Sequence, residues 1–128
     1  MAGDPQPRKI PLIFARTGAG SEPVREWLKE LPETERQAIG KDLLRAQWRW
    51  PVGMPLCRPL GNGLWEVRTD LPTKRTARVL LCVYRKHLVA LHVASSRERA
   101  RRLMKTWRWH RNAGRSWSNE QETYGFKH

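Results

Sequence analysis

LWEVRTDLPTKRTARVLLCVYRKHLVALHVA, residues 64–94, is the stretch that decides the fold. It contains three strand-like runs: Leu64–Asp70, Thr76–Tyr84 and His87–Ala94. In the first, Trp65 and Val67 alternate with Glu66 and Arg68, the period of two that gives a strand one apolar and one polar side. The second is almost continuously apolar, the mark of a central strand covered on both faces. The links are LPTKR and RK. Links this short allow only antiparallel hairpins, because a parallel crossover needs a dozen residues or more.

Outward from this meander, the N-terminal half reads as helical. SEPVREWLKEL (21–31) places Val24, Trp27, Leu28 and Leu31 at i, i+3, i+4 and i+7, one stripe of a helix. Ser21 is the expected N-cap and Pro23 is tolerated in the first turn. Pro32 breaks the pattern, and a second helix runs from Glu33 to Trp48 with Ala38, Ile39, Leu43 and Ala46 inward. Before this αα-hairpin, KIPLIFA (9–15) reads as a short strand whose Pro11 points to a sheet edge. ARTGAG is read as a loop. After the meander, a Ser95-x-x-Glu98 capping box opens a basic helix with Ala100, Leu103, Met104 and Trp107 on its apolar side. The expected fold class is α+β: a small antiparallel sheet, an N-terminal αα-hairpin and a C-terminal helix, in the order β-α-α-β-β-β-α, with the helices on one face. Residues 1–112 form one domain, and residues 113–128, which show no clear period, are expected to be a partly disordered tail.

The chain of 128 residues has a formal net charge of +13, all of it in one part. Residues 1–42 hold seven basic and seven acidic residues, whereas residues 43–128 hold eighteen and five. Such asymmetry points to a polyanion, nucleic acid first. No apolar run is long enough to span a membrane, and the polar N-terminus has no signal-peptide core, so a cytoplasmic protein is expected. The two cysteines, Cys57 and Cys82, make no disulfide framework and read as small buried residues of a reducing compartment. Neither has a partner at zinc-ligand spacing, so neither metal nor cofactor is expected.

The candidate chemistry sits on the polar side of the sheet. Glu66, Arg68, Arg78 and His92 converge there, and Arg97 opens the basic helix beside the last strand. Arginines, a carboxylate and a histidine can hold a phosphodiester and stabilise the charge that develops on it. Residues 97–115 hold eight basic residues and one acid, so Arg99, Arg101, Arg102, Lys105, Arg108 and Trp109 are read as an RNA-contact surface. WRW occurs twice. Trp48 and Trp107, like Trp27, lie on or near apolar stripes and are expected in the core, while Trp50 and Trp109 are freer to stack on bases.

PLCRPLGNGLWEVR, the arginine-headed strand ARVLLCVYRKHLVALHV and the basic helix after it resemble the RelE/HigB superfamily of bacterial toxins. Leu60, Gly61, Leu64, Trp65, Glu66, Arg68, Arg78 and Tyr84 fit its pattern, and Leu91-His92 is similar to the phage-derived HigB-like branch. The resemblance covers residues 9–112 and implies the RelE-like fold. It further implies a metal-independent, ribosome-dependent mRNA endonuclease (an mRNA interferase), neutralised by a helix-turn-helix, HigA-like antitoxin. Operator DNA would be bound only through the antitoxin complex. Carried over, Arg68, Arg78 and Arg97 hold the phosphate or transition state, His92 is an acid or base, and Glu66 a general base. Glu66 and Ser96 stand where members carry lysines, and Leu103 where some carry a tyrosine. Two other functions fit the same residues: a nucleic-acid-binding module without catalysis, such as a degenerate toxin, and a basic module that binds only an acidic antitoxin segment.

Overall fold

The computed structural model describes residues 9–61, 63–94, 96–106, 108–110, 116–118 and 123–125, with side chains up to Arg102 except that of Arg97. Its elements, in chain order, are β1 (Leu12–Phe14), β2 (Arg16–Thr17), α1 (Pro23–Glu30), α2 (Glu33–Arg49), β3 (Cys57–Gly61), β4 (Leu64–Asp70), β5 (Thr76–Tyr84), β6 (His87–Ala94), α3 (Arg97–Thr106), β7 (Arg108–His110), β8 (Ser116–Ser118) and β9 (Thr123–Gly125). The architecture is α+β. The meander β4-β5-β6 has the bounds that its alternation and links dictate, and both of its pairings are antiparallel.

Two features enlarge the sheet beyond an antiparallel meander. On one side β1 lies along β6 in parallel, pairing Leu12 with Leu88 and Phe14 with Ala90. On the other, β3 pairs antiparallel with β4. The result is a five-stranded mixed sheet in the order β1-β6-β5-β4-β3. Pro11 sits where a proline does least harm: its carbonyl accepts the Leu88 N–H at 2.9 Å, and the edge beside it needs no donor. Strand β3 is hidden in the sequence by Pro59 and Gly61, which read as turn residues. Here Pro59 lies on the outer edge and Gly61 has φ +95°, at a register shift between the two. Arg16–Thr17, read as loop, is a two-residue strand in a second, antiparallel sheet with the order β2-β9-β8-β7.

The helices divide between the two faces of the main sheet, contrary to the expectation of one helical face. Val24 of α1 and Ile39, Leu43 and Ala46 of α2 pack with Val67, Val79, Leu81, Leu88 and Ala90. Leu80, between Val79 and Leu81 and therefore on the opposite face, packs instead with Ala94 and with Ala100 of α3. The caps also differ from the expected ones. Ser21 Oγ lies 2.8 Å from Thr17 Oγ1 rather than capping α1, whose N-cap is Glu22, with the Glu22 N–H donated to Glu26 Oε2 at 2.6 Å. Helix α3 is capped by Ser96, whose Oγ accepts the Arg99 N–H at 3.0 Å. Glu98 Oε1 accepts a hydrogen bond from Arg102 Nη2 at 2.9 Å. Ser95 itself lies outside the described residues.

The tryptophans exchange their expected roles. Trp50 packs edge-on against Trp65 with ring centroids 4.9 Å apart and belongs to the core, whereas Trp48 is 47% exposed. The helix ends at Arg49, so Trp50 leaves the helical stripe and turns under the sheet.

Glu35 is a second unforeseen core feature. An acid in the first turn of α2, it is buried, with Arg75 Nη2 at 2.6 Å and Thr73 Oγ1 at 2.9 Å from Oε1. The hydrogen bond from Arg75, then that from Thr73, holds its carboxyl below the usual carboxylate range. A lowered folded-state pKa contributes stability above the unfolded value and loses it as pH falls toward the folded one. The urea midpoint of Glu35→Gln should therefore fall less on acidification than that of the wild type. Parallel curves for the two proteins across the acid range would contradict this linkage.

Cys57 is fully buried on the same side of the sheet, and burial pushes its thiol up to about 11. Since the thiolate is the reactive form, Cys57 should resist alkylation in the native protein at pH 8 and react after urea unfolding. Mass spectrometry of the alkylated peptide distinguishes the two states, and rapid labelling of native Cys57 would contradict its burial.

Candidate functional site

On the face opposite α1 and α2, the register brings charged residues into two rows. Arg58, Glu66, Leu80 and His92 are successive partners across β3, β4, β5 and β6. One step along, Arg68 stands directly opposite Arg78. Like charges directly opposite destabilise a strand pair, so an arginine pair needs anions to offset it.

Two carboxylates provide part of that offset. Arg78 Nε lies 3.6 Å from Glu66 Oε1, and Arg68 Nε lies 3.6 Å from Asp70 Oδ1. The first pair is almost dry, with the Arg78 side chain 12% and the Glu66 side chain 4% exposed. At 3.6 Å the attraction is coulombic rather than a hydrogen bond. Glu66 Oε2 and Arg78 Nε are buried with no hydrogen-bond partner among the described residues. Buried polar atoms in that state are uncommon and cluster where a ligand or a mechanism uses them. The arrangement therefore fixes a guanidinium at the sheet surface through its counter-ion while committing none of its strong hydrogen bonds to that partner.

The polar side of the sheet is not left open to solvent around Glu66. Glu66 points to the polar side, as the alternation requires, but α3 and Leu60 crowd that side around Leu80, and Glu66 is buried. A carboxylate enclosed beside an arginine suits holding Arg78 in place better than meeting solvent as a base. Arg68 is more accessible, at 39%, and also borders a groove lined by Asp42, Arg45, the 52–56 loop and Asp70.

His92, on β6, stands in the same row as Glu66. Its strand position is two strands from Glu66, roughly 10 Å at ordinary strand spacing. Its Nδ1 contacts the Val93 backbone at 2.7–2.8 Å. It lines a separate cleft of about 450 Å³ with Trp27, Leu31, Arg75 and Arg99. Of the candidate RNA contacts, Arg99, Arg101 and Arg102 are exposed on α3, with Arg102 paired to Glu98. The side chains of Arg97, Lys105, Arg108 and Trp109 lie outside the described residues, as does Trp107. The residue that sequence reasoning missed is Arg58, half-buried and in register with Glu66. Only recognising β3 through its proline and glycine could have placed it on this face.

A family model described as Phage derived protein Gp49-like (DUF891) matches residues 26–103, from α1 to the body of α3, a span that contains all of the rows above. No curated protein and no solved structure matches the chain.

Proposed function

The chain belongs to the phage-derived Gp49-like family, a RelE/HigB-type toxin-like family, and from that premise we propose that it is the toxin of a type II toxin-antitoxin pair. Its activity is that of a ribosome-dependent mRNA endoribonuclease of the HigB-like kind, working in the cytoplasm. The observation that carries this reading is the Arg68–Arg78 pair set around the buried Glu66 carboxylate. Such a pair is costly in an idle sheet and useful against a phosphodiester.

In the proposed reaction, the 2′-hydroxyl of the mRNA attacks the adjacent phosphate, the P–O5′ bond breaks, and a 2′,3′-cyclic phosphate and a 5′-hydroxyl result. The proton leaves the 2′-oxygen and one is delivered to the departing 5′-oxygen. Negative charge grows on the non-bridging oxygens as the phosphorane forms, so fixed guanidinium donors strengthen their hold there. Arg78 and Arg68 supply that hold, with Arg97 at the head of α3 as a further phosphate contact. A planar, two-pronged guanidinium suits two phosphate oxygens better than an ammonium does. Glu66 acts on Arg78 rather than on the substrate, and His92 is the candidate for proton transfer. Exposed Arg99, Arg101 and Arg102, with Lys105, Arg108 and Trp109 beyond them, add sequence-blind affinity for the strand. A toxin-like family implies an antitoxin partner, here of the helix-turn-helix, HigA-like kind, through which operator DNA would be reached.

The dry Glu66–Arg78 pair also favours a second reading, a basic RNA-binding module without catalysis, since an ion pair can serve the fold alone. Induced expression with and without the neighbouring helix-turn-helix gene separates the two. The nuclease reading expects growth arrest and new mRNA 5′ ends, both suppressed by the neighbour. Arrest without new 5′ ends would leave the binding module.

A further inference from the structure

At the far end of β5 from Arg78, Tyr84 pairs with His87, so Arg85 and Lys86 form a two-residue hairpin loop. Their φ values are +48° and +64°, the left-handed pair of a type I′ turn. That turn favours Asn-Gly, because a side chain with a β-carbon is strained at positive φ. This chain instead keeps two long basic residues there, both exposed. Lys74, at the tip of the β4–β5 hairpin, has φ +65°, so the three left-handed non-glycine residues among those described are all basic.

The tip is also braced by its flanking residues, and the described strands beside it carry no acidic residue. The Arg85 guanidinium carbon lies 5.5 Å from the centroid of the Tyr84 ring, and His87 Nδ1 lies 2.8 Å from the Arg85 carbonyl oxygen. The strand ends gathered there, residues 9–15, 57–64 and 80–90, contain no aspartate or glutamate, and Lys9 adds another cation. Strained backbone persists where the surroundings over-determine it and where function uses it. A hairpin tip with two exposed cations suits a groove between rows of phosphates, whereas an acidic peptide would need a concave seat.

We propose that the Arg85–Lys86 tip is a second RNA contact, gripping the phosphate backbone of a structured RNA at the end of the sheet away from Arg68 and Arg78. It deepens the proposed function, on which it rests for the kind of polyanion, and its test needs no cleavage. The variants are Arg85→Asn/Lys86→Gly, which relieves the turn, and Arg85→Gln/Lys86→Gln, which removes the charge alone. The probe is a short RNA duplex, titrated at several salt concentrations. Both variants should bind roughly tenfold or more weakly at 0.1 M salt, with the salt slope reduced by about 0.9 for each lost phosphate contact. The Asn-Gly variant should at the same time melt at a higher temperature than the wild type. Weaker binding together with a more stable fold cannot come from a structural role. Unchanged duplex affinity and slope in the glutamine variant would overturn the proposal, as would an Asn-Gly variant that melts lower. If duplex binding falls while no RNA is ever cut, the tip stands and the nuclease reading fails; cleavage with unchanged duplex binding gives the reverse.

Discussion

Removing the Arg78 guanidinium while keeping the fold is expected to lower the rate of RNA cleavage by roughly 100-fold, the scale for losing one preorganised donor to a developing oxyanion. The structure dictates how the variant must be built. Arg78→Ala alone strands Glu66, a buried carboxylate, and breaking a buried pair on one side costs about 3–5 kcal/mol. Against a total stability of about 5–15 kcal/mol, that cost could abolish activity by unfolding the protein. The informative variants are Arg78→Ala/Glu66→Gln, which removes both charges, and Arg78→Lys, which keeps a cation but loses the planar fork. The first should lose the full factor and the second part of it. Ribosome affinity should change little in either, because the exposed arginines of α3 remain. Glu66→Gln alone should lower turnover by a smaller factor and leave the acidic limb of the pH–rate profile in place, as a positioning residue would. Loss of that limb would return Glu66 to the role of general base.

The largest structural effect is expected at Leu81. It lies in the middle of the central strand, is fully buried, and packs in the cluster that joins β5 to Ile39 and Leu43 of α2. Leu81→Ala should cost about 2–5 kcal/mol, the lost transfer free energy plus that of the residual cavity. Leu81→Met, which conserves volume, should cost less than about 1.5 kcal/mol. Urea denaturation of the three proteins checks both values. A Leu81→Ala cost below about 1 kcal/mol would mean that the sheet and α2 do not share a tightly packed core.

What the sequence disclosed followed from period and link length. The bounds of β4, β5 and β6 were legible because the alternation of β4, the apolar run of β5 and two short links leave one topology. Helices α1 and α2 were legible from their apolar stripe and from Pro32 between them. The parallel β1–β6 pairing was not, since residues 12–14 and 88–90 are far apart in the chain and nothing local encodes which edge they share. Strand β3 was concealed by residues whose local preference is for turns, and with it went Arg58. The Trp48 and Trp50 exchange turned on a tertiary contact, Trp50 packing on Trp65 of β4, which no local signal encodes.

The site was half legible. Alternation put Glu66 and Arg68 on one face, and the strand heading put Arg78 near them. That Arg68 faces Arg78 depends on the register, which follows from the five-residue link between β4 and β5. Burial of Glu66 depends on α3 crossing to that face through Ala100, a consequence of tertiary packing that a charged residue in a half-polar strand does not announce. His92 stands in the Glu66 row through its pairing with Leu80. It also lines the cleft with Trp27 and Arg99.

The central claim is that this basic α+β protein cuts mRNA by attack of its own 2′-hydroxyl, with arginines holding the phosphate. The most direct test is the chemistry of the ends produced when purified protein is added to translating ribosomes on a defined mRNA. The account predicts fragments with a 5′-hydroxyl on one side of the cut and a 2′,3′-cyclic or 3′-phosphate on the other, reduced by roughly 100-fold with Arg78→Ala/Glu66→Gln. Intact mRNA, or cuts that leave a 5′-phosphate, would contradict it.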